Sequence, residues 1–115
     1  MRDAASTDLC VARLTYQLSC VICIQECDQG GHLRHYQKQW HPDDEKYKIE
    51  NGIGYDSQVV QGKPCFTFQP QTGDVYLINP TNYHEVDRVA GKTRITLGFF
   101  IGFFDRELRN AIVWS

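Results

Sequence analysis

The amino-acid sequence predicts an all-β domain, mainly strand with one or two short helical turns. Three observations carry that prediction. The apolar runs are short, rich in β-branched and aromatic residues, and separated by turn signals at fairly regular spacing. About seven such runs fit into the 115 residues, a length that suits one domain with a modest core. Helix-like patterning is confined to an acid-rich stretch behind one proline. Seven short antiparallel strands imply a sandwich, a jelly roll or a barrel.

Each element follows from its own residues. Residues 11–26, "VARLTYQLSCVICIQE", read as one long strand or two joined. "DQGG" at 28–31 is a turn, and "HLRHYQKQW" at 32–40 alternates enough for a strand. "HPDDEKYK" at 41–48 places Pro and then acids where a short helix begins. Residues 49–63 read as loop with one helical turn. "PCFTFQP" at 64–70 is a strand bounded by prolines, "QTGD" a turn, and "VYLINP" at 75–80 a further strand. Residues 83–89 and 92–104 are strands around a tight loop, 105–111 contain a helical turn, and "IVWS" is the last strand.

Composition removes several function classes. Hydrophobic residues make up 42%, charged residues 23%, and the formal net charge is −2 with both signs interspersed. Without a basic stripe, nucleic acid is not an expected partner. No apolar run approaches the roughly 20 residues that span a bilayer, so no membrane partner is expected. The start, "MRDAASTDLC", has no apolar segment of the kind a secretory signal requires. Cys10, Cys20, Cys23, Cys27 and Cys65 therefore read as reduced thiols of a cytoplasmic protein. The Cys20–Cys23 pair lies in a β-branched run, where a zinc knuckle would need a turn, and reads as buried strand thiols.

One strand is unusual. Over 93–104, Ile95, Leu97, Phe99 and Ile101 occupy one face and Phe100 and Phe104 the other. A strand that is apolar on both faces needs cover on both, and this chain offers little helix to provide it. Either a partner covers that strand, a second copy in a homodimer through 93–104 included, or covering elements are missing from the chain.

The hairpin-like stretch "YHEVDRVAGKTRITLG" carries the chemistry. A three-residue loop at Val89-Ala90-Gly91, ending in a left-handed glycine, predicts that Val86 pairs with Arg94 and His84 with Thr96. His84, Arg94 and Thr96 would then share a face, with Gly98 leaving room for a ligand. A guanidinium fork suits a carboxylate and a neutral imidazole suits a metal ion. A one-residue slip would separate them.

"GDVYLINPTNYHEV" followed by "GKTRITLGFFIG", with "QGGHLRHY" upstream, resembles the C-terminal half of the iron(II)/2-oxoglutarate-dependent oxygenases. The resemblance covers roughly residues 3 to 104 and implies a double-stranded β-helix, the jelly-roll core of those enzymes. Their pattern is His-x-Asp, a distal His, and Arg-x-Ser/Thr about ten residues on. His84 matches the distal, metal-binding His. Arg94 and Thr96 match the Arg-x-Thr that binds the far carboxylate of 2-oxoglutarate. Asp3 falls where the metal-binding carboxylate belongs, and Met1 stands where the first His should be. The resemblance therefore implies Fe(II) as cofactor and 2-oxoglutarate as cosubstrate. It also implies O2 and a small organic molecule as substrates, in a dioxygenase that hydroxylates. Relatives that halogenate have Gly or Ala in the place of Asp3. The chain, 1–115, reads as a single domain without the N-terminal helices and first metal His of the family. As it stands it is expected to hold iron weakly and to turn over little.

Other residues read more plainly. His32 and His35, three apart on a strand, face opposite ways and read as solvated. His41 reads as the start of the acid-rich helical turn. Tyr36 and Trp40 suit either the substrate entrance or the core, and Tyr16 and Gln17 are weaker cosubstrate candidates. Arg88 and Lys92 read as solvated residues flanking the loop. The alternative function is a non-catalytic, cupin-like small-molecule binding domain, which has no need of Arg-x-Thr ten residues after the His. A pure interaction domain would instead dimerise without binding 2-oxoglutarate.

Overall fold

The computed structural model describes residues 8–115. A 3-10 turn at Cys10–Arg13 leads into β1 (Tyr16–Gln25), so the long N-terminal run is one strand behind a short turn. β2 (Leu33–Gln39) follows the glycine turn. Two 3-10 turns, Pro42–Tyr47 and Ser57–Val60, occupy the excursion to β3 (Cys65–Phe68). β4 (Val75–Ile78), β5 (Asn82–Val86), β6 (Ile95–Phe103) and β7 (Ala111–Trp114) complete the described chain.

The strands form two antiparallel sheets, one in the order β4-β1-β6-β7 and one in the order β3-β2-β5. The chain passes repeatedly from one to the other, which makes the expected double-stranded β-helix, or jelly roll. The sheets meet through Phe68 of the small sheet, whose ring stands edge-on to Tyr76 of the large one at 5.4 Å. At the other end of the large sheet Phe100 stacks on Trp114 at 5.5 Å. Leu14 lies directly over Gly102 there, so that any Cβ at Gly102 would collide with it. Cys23 is the most deeply buried side chain on this inner face.

Residues 83–104 differ from the hairpin expected of them. β5 pairs with β2, whereas β6 pairs with β1 and β7, so neither His84–Thr96 nor Val86–Arg94 is a cross-strand pair. The segment between β5 and β6 crosses from the small sheet to the large one. It is held there by the 27–31 turn: Gln29 and Ala90 form a two-bond bridge, and the Lys92 N–H donates to Asp28 Oδ2 at 2.7 Å. Gly91, at φ 78°, lies so close to the Asp28 carboxylate that a Cβ would overlap it. The left-handed glycine expected at this position is present, but it serves the docking of two loops.

The outer face of the large sheet carries Ile24, Val75, Leu77, Ile95, Leu97 and Val113, all well exposed. The paired registers place Val75, Leu77, Leu97 and Val113 on one side of the sheet. The apolar surplus anticipated on β6 is therefore a whole sheet face.

Candidate active site

On the small sheet His84 of β5 lies directly opposite His35 of β2, and His35 lies opposite Phe66 of β3. Opposed residues share a face, here the face that carries Leu33 and Phe68 toward the large sheet. The two imidazoles are nearly parallel, 21° apart in plane, with centroids separated by 6.3 Å. His84 Nδ1 lies 2.8 Å from the Asn82 carbonyl, and His35 Nε2 lies 3.1 Å from the Asn79 carbonyl. A carbonyl oxygen only accepts, so those nitrogens carry the protons and donate. His84 Nε2 and His35 Nδ1 keep their lone pairs. An imidazole with one nitrogen anchored to a backbone carbonyl is the arrangement metal ligands use.

Arg94 lies just before β6 and extends along the inner face of the large sheet, where its Nη2 donates to Tyr76 Oη at 3.2 Å. The guanidinium stem passes Gly31; a Cβ on that glycine would sit 2.7 Å from Cys27 Sγ and 3.4 Å from Arg94 Cδ. Burial raises the Tyr76 phenol above its ordinary value, and the nearby Arg94 charge opposes that only in part. Tyr76 therefore stays a neutral donor beside a cation, a pair suited to one carboxylate. Thr96 stands opposite Cys23 and alternates onto Arg94's side of β6.

The two groups of residues lie at different depths. Phe68, which meets Tyr76, is opposite Leu33, and Leu33 is opposite Val86; His35 and His84 lie two residues further along their strands. The Arg94–Tyr76 pair and the His35–His84 pair thus stand on facing inner sides of the two sheets, offset along the strands.

His84 thus lies on the small sheet, and Arg94 and Thr96 on the large one, not as cross-strand partners of a single hairpin. Asp3 and Met1 lie outside the described residues. Among the described residues no group of three or more His, Cys, Asp and Glu side chains is placed to hold a metal ion. Tyr76 was not singled out in the sequence; alternation within "VYLI" separates it from Val75 and Leu77, but only the strand order puts it beside Arg94. His35 was set aside by comparison with His32, when its partner is His84 on the neighbouring strand.

The remaining polar residues have structural roles. His32 donates through its N–H to Asp87 Oδ1 at 2.7 Å and its ring lies 3.1 Å from Asp87 Oδ2. Slight burial would raise the Asp87 carboxyl, but these contacts and the Arg34 charge hold it below the usual carboxylate range. Tyr36 lies on the face away from His84 and donates to Glu85 at 2.8 Å. That hydrogen bond, with burial and the Glu85 charge, pushes the Tyr36 phenol up to about 12. His41 caps the Pro42–Tyr47 turn, within which Asp44 is buried. Burial pushes the Asp44 carboxyl up, but bonds from Lys38, the His41 N–H and Tyr83 outweigh it and hold it low. Trp40 Nε1 donates to Tyr55 Oη at 3.0 Å, which fixes the 41–63 excursion against β2. A cleft of about 570 Å³ lined by Gln17, Gln39, Asn79, Thr81, Phe103 and Arg106 adjoins the site at Asn79, whose carbonyl holds His35.

Residues 8–115 match the family described as carrier-protein-independent halogenase WelO5. The leucinostatins biosynthesis cluster protein S of Purpureocillium lilacinum is 30% identical over 114 residues, covering 91% of this chain and 46% of that protein. An N-substituted L-amino acid dioxygenase from Burkholderia ambifaria AMMD, solved in complex with alpha-KG, superposes with a TM-score of 0.66 at 18% identity. The match covers 86% of this chain and 39% of that one, and the structure of the same enzyme described without alpha-KG superposes equally well at 17% identity. These superpositions are likenesses of fold. The chain spans less than half the length of the relatives it matches.

Proposed function

The chain belongs to the WelO5 family of the iron(II)/2-oxoglutarate-dependent oxygenases, and from that premise we propose that it is the core of a dioxygenase. In this reading it couples oxidative decarboxylation of 2-oxoglutarate to hydroxylation of a small organic substrate. The observation that supports it is the Arg94–Tyr76 pair on the inner face of the large sheet, opposed by the small-sheet face that carries His84. Arg94 and Tyr76, with Thr96 alongside, hold the far carboxylate of 2-oxoglutarate. His84 Nε2 faces the metal, and the Asn82 carbonyl keeps its tautomer. Iron(II), when bound, supplies the oxygen chemistry, while these residues bind, orient and exclude water. The substrate enters by the cleft between Gln17 and Arg106.

Asp3 completes the ligand set in this reading and, as a carboxylate, favours hydroxylation over halogenation. With Met1 in the place of the first His, iron is held weakly, since a thioether suits softer ions. Among the described residues nothing covers the outer face of the large sheet, and a second copy of the chain, in a homodimer through strand 93–104, is the proposed occupant of that face. Among the described residues no helix is long and apolar enough to cross a membrane. The five free thiols fit a reducing, cytoplasmic setting.

Calorimetric titration of 2-oxoglutarate under argon, with manganese(II) or iron(II) present, tests the reading. Metal-dependent binding that is lost in Arg94→Ala is the expected result. Binding unaffected by that substitution, or none at millimolar ligand in a folded monomer, would overturn it.

A further inference from the structure

We infer that His35 is a second imidazole donor to the ion that His84 binds, so that the small sheet itself presents a two-histidine metal face. The inference rests on the reading of His84 just given and deepens it. Directly opposed residues on antiparallel strands have Cβ atoms about 4.5–5.5 Å apart, a separation from which two imidazoles can reach one ion. His35 and His84 are such a pair, on the face turned toward the large sheet. Each ring is anchored by a different backbone carbonyl, and in a neutral ring that anchor leaves the other nitrogen as the one able to coordinate.

The anchors are themselves tied down. Asn82 Nδ2 donates to the Tyr36 carbonyl at 2.9 Å, which locks β5 to β2 beside both rings. The Thr81 N–H and hydroxyl both donate to Asn79 Oδ1, which fixes the turn that supplies the His35 acceptor.

The rings stand near enough to share an ion once they turn toward it, their planes now being 21° apart. A metal–nitrogen bond of about 2.1 Å puts the ion about 3.2 Å from a ring centre, so two rings sharing one ion at tetrahedral or octahedral angles have centroids about 4.5–5.3 Å apart. The observed 6.3 Å closes to that range with a shift of roughly 1 Å, together with rotation about χ of the exposed His84 and the half-buried His35. Two imidazoles select a divalent first-row ion of the iron-to-zinc series over magnesium or calcium, which prefer oxygen. Met1 falls where the family's first His belongs, and His35 can supply an imidazole from another strand.

The test is cobalt(II) titration of the full chain under argon, followed by calorimetry and by visible absorption. His35→Gln keeps an amide that can donate to the Asn79 carbonyl but removes the imidazole lone pair; His84→Gln does the same on β5. Both variants should weaken cobalt binding by about tenfold or more, the scale on which metal sites respond to loss of a supporting group. His32→Ala and His41→Ala should leave it unchanged. A thermal melt of each variant confirms that the sheets are intact. If His84→Gln weakens binding and His35→Gln does not, the inference falls and the reading of His84 stands. If neither variant changes it, or thiolate-to-cobalt charge transfer dominates the near-ultraviolet, both fall.

Discussion

The two faces of the large sheet differ both in their residues and in their fates. On the inner face Cys23 is 1% exposed, Phe100 stacks on Trp114, and Tyr76 meets Phe68 of the second sheet. On the outer face Leu77 is 56% exposed and Leu97 55%. Residue type separates them in the unexpected sense: β1 and β6 turn Gln17, Ser19, Val21, Cys23, Thr96, Gly98 and Phe100 inward, and Leu18, Cys20, Ile22, Leu97, Phe99 and Ile101 outward. The more apolar face is the one without a second layer among the described residues, and an apolar sheet face of that kind needs a partner.

The largest effect should come from the inner face at the site. Arg94→Ala removes the cation of the carboxylate clamp and should cost roughly 2–5 kcal/mol of 2-oxoglutarate binding, read by calorimetry with manganese(II). Wild-type affinity in that variant would place the clamp elsewhere. Next comes the packed part of the same interior. Leu33 is 4% exposed between the sheets, and Leu33→Ala should destabilise by about 2–5 kcal/mol in urea unfolding. Tyr76→Phe is subtler: losing one neutral donor to a carboxylate should weaken 2-oxoglutarate binding by about 1.5–3 kcal/mol, with the unfolding midpoint little changed. The outer face should respond least in stability. Leu97→Ser should stay within about 0.5 kcal/mol of wild type in monomer stability while reducing self-association in sedimentation. A loss comparable to that of Leu33→Ala would mean that the outer face is packed in solution.

A pH titration sharpens the contrast between site and scaffold. The Asp44 carboxyl is held below its unfolded value, so its contribution is complete at neutral pH. It is lost as pH falls below the ordinary carboxylate range near ~3.9. Tyr36 runs the other way: its stabilising effect is complete below ~10 and disappears as pH rises through about 12. Asp44→Asn should flatten the acid limb of the stability profile, and Tyr36→Phe the alkaline one.

Most strands were legible because turn chemistry and alternation are local. The Asp-Gln-Gly-Gly and Gln-Thr-Gly-Asp turns and the proline-bounded β3 fall where the residues put them. The loop at Val89–Gly91 has the composition of a hairpin, and locally nothing distinguishes it from one. What decides its path is Asp28, some sixty residues away, which accepts the Lys92 N–H and packs against Gly91. His84, Arg94 and Thr96 stand out as candidates because their chemistry is marked by residue type. Tyr76 and His35 were missed because each matters through a neighbour on another strand. Only strand order reveals those neighbours.

The central pairing of the large sheet joins Tyr16 to Phe103 and runs on to Gln25 with Ile95. β1 therefore emerges from a ribosome long before the strand that completes it. Until β6 arrives, one edge of β1 has no partner, and its unpaired backbone N–H and C=O groups lie open to other chains. Such non-local pairing folds slowly and is prone to aggregation. A nascent chain of this design should gain from a chaperone that holds β1 until β6 is made. Release of soluble protein from a cell-free synthesis should then rise when a holdase is added, and rise less for a variant carrying Ile22→Thr.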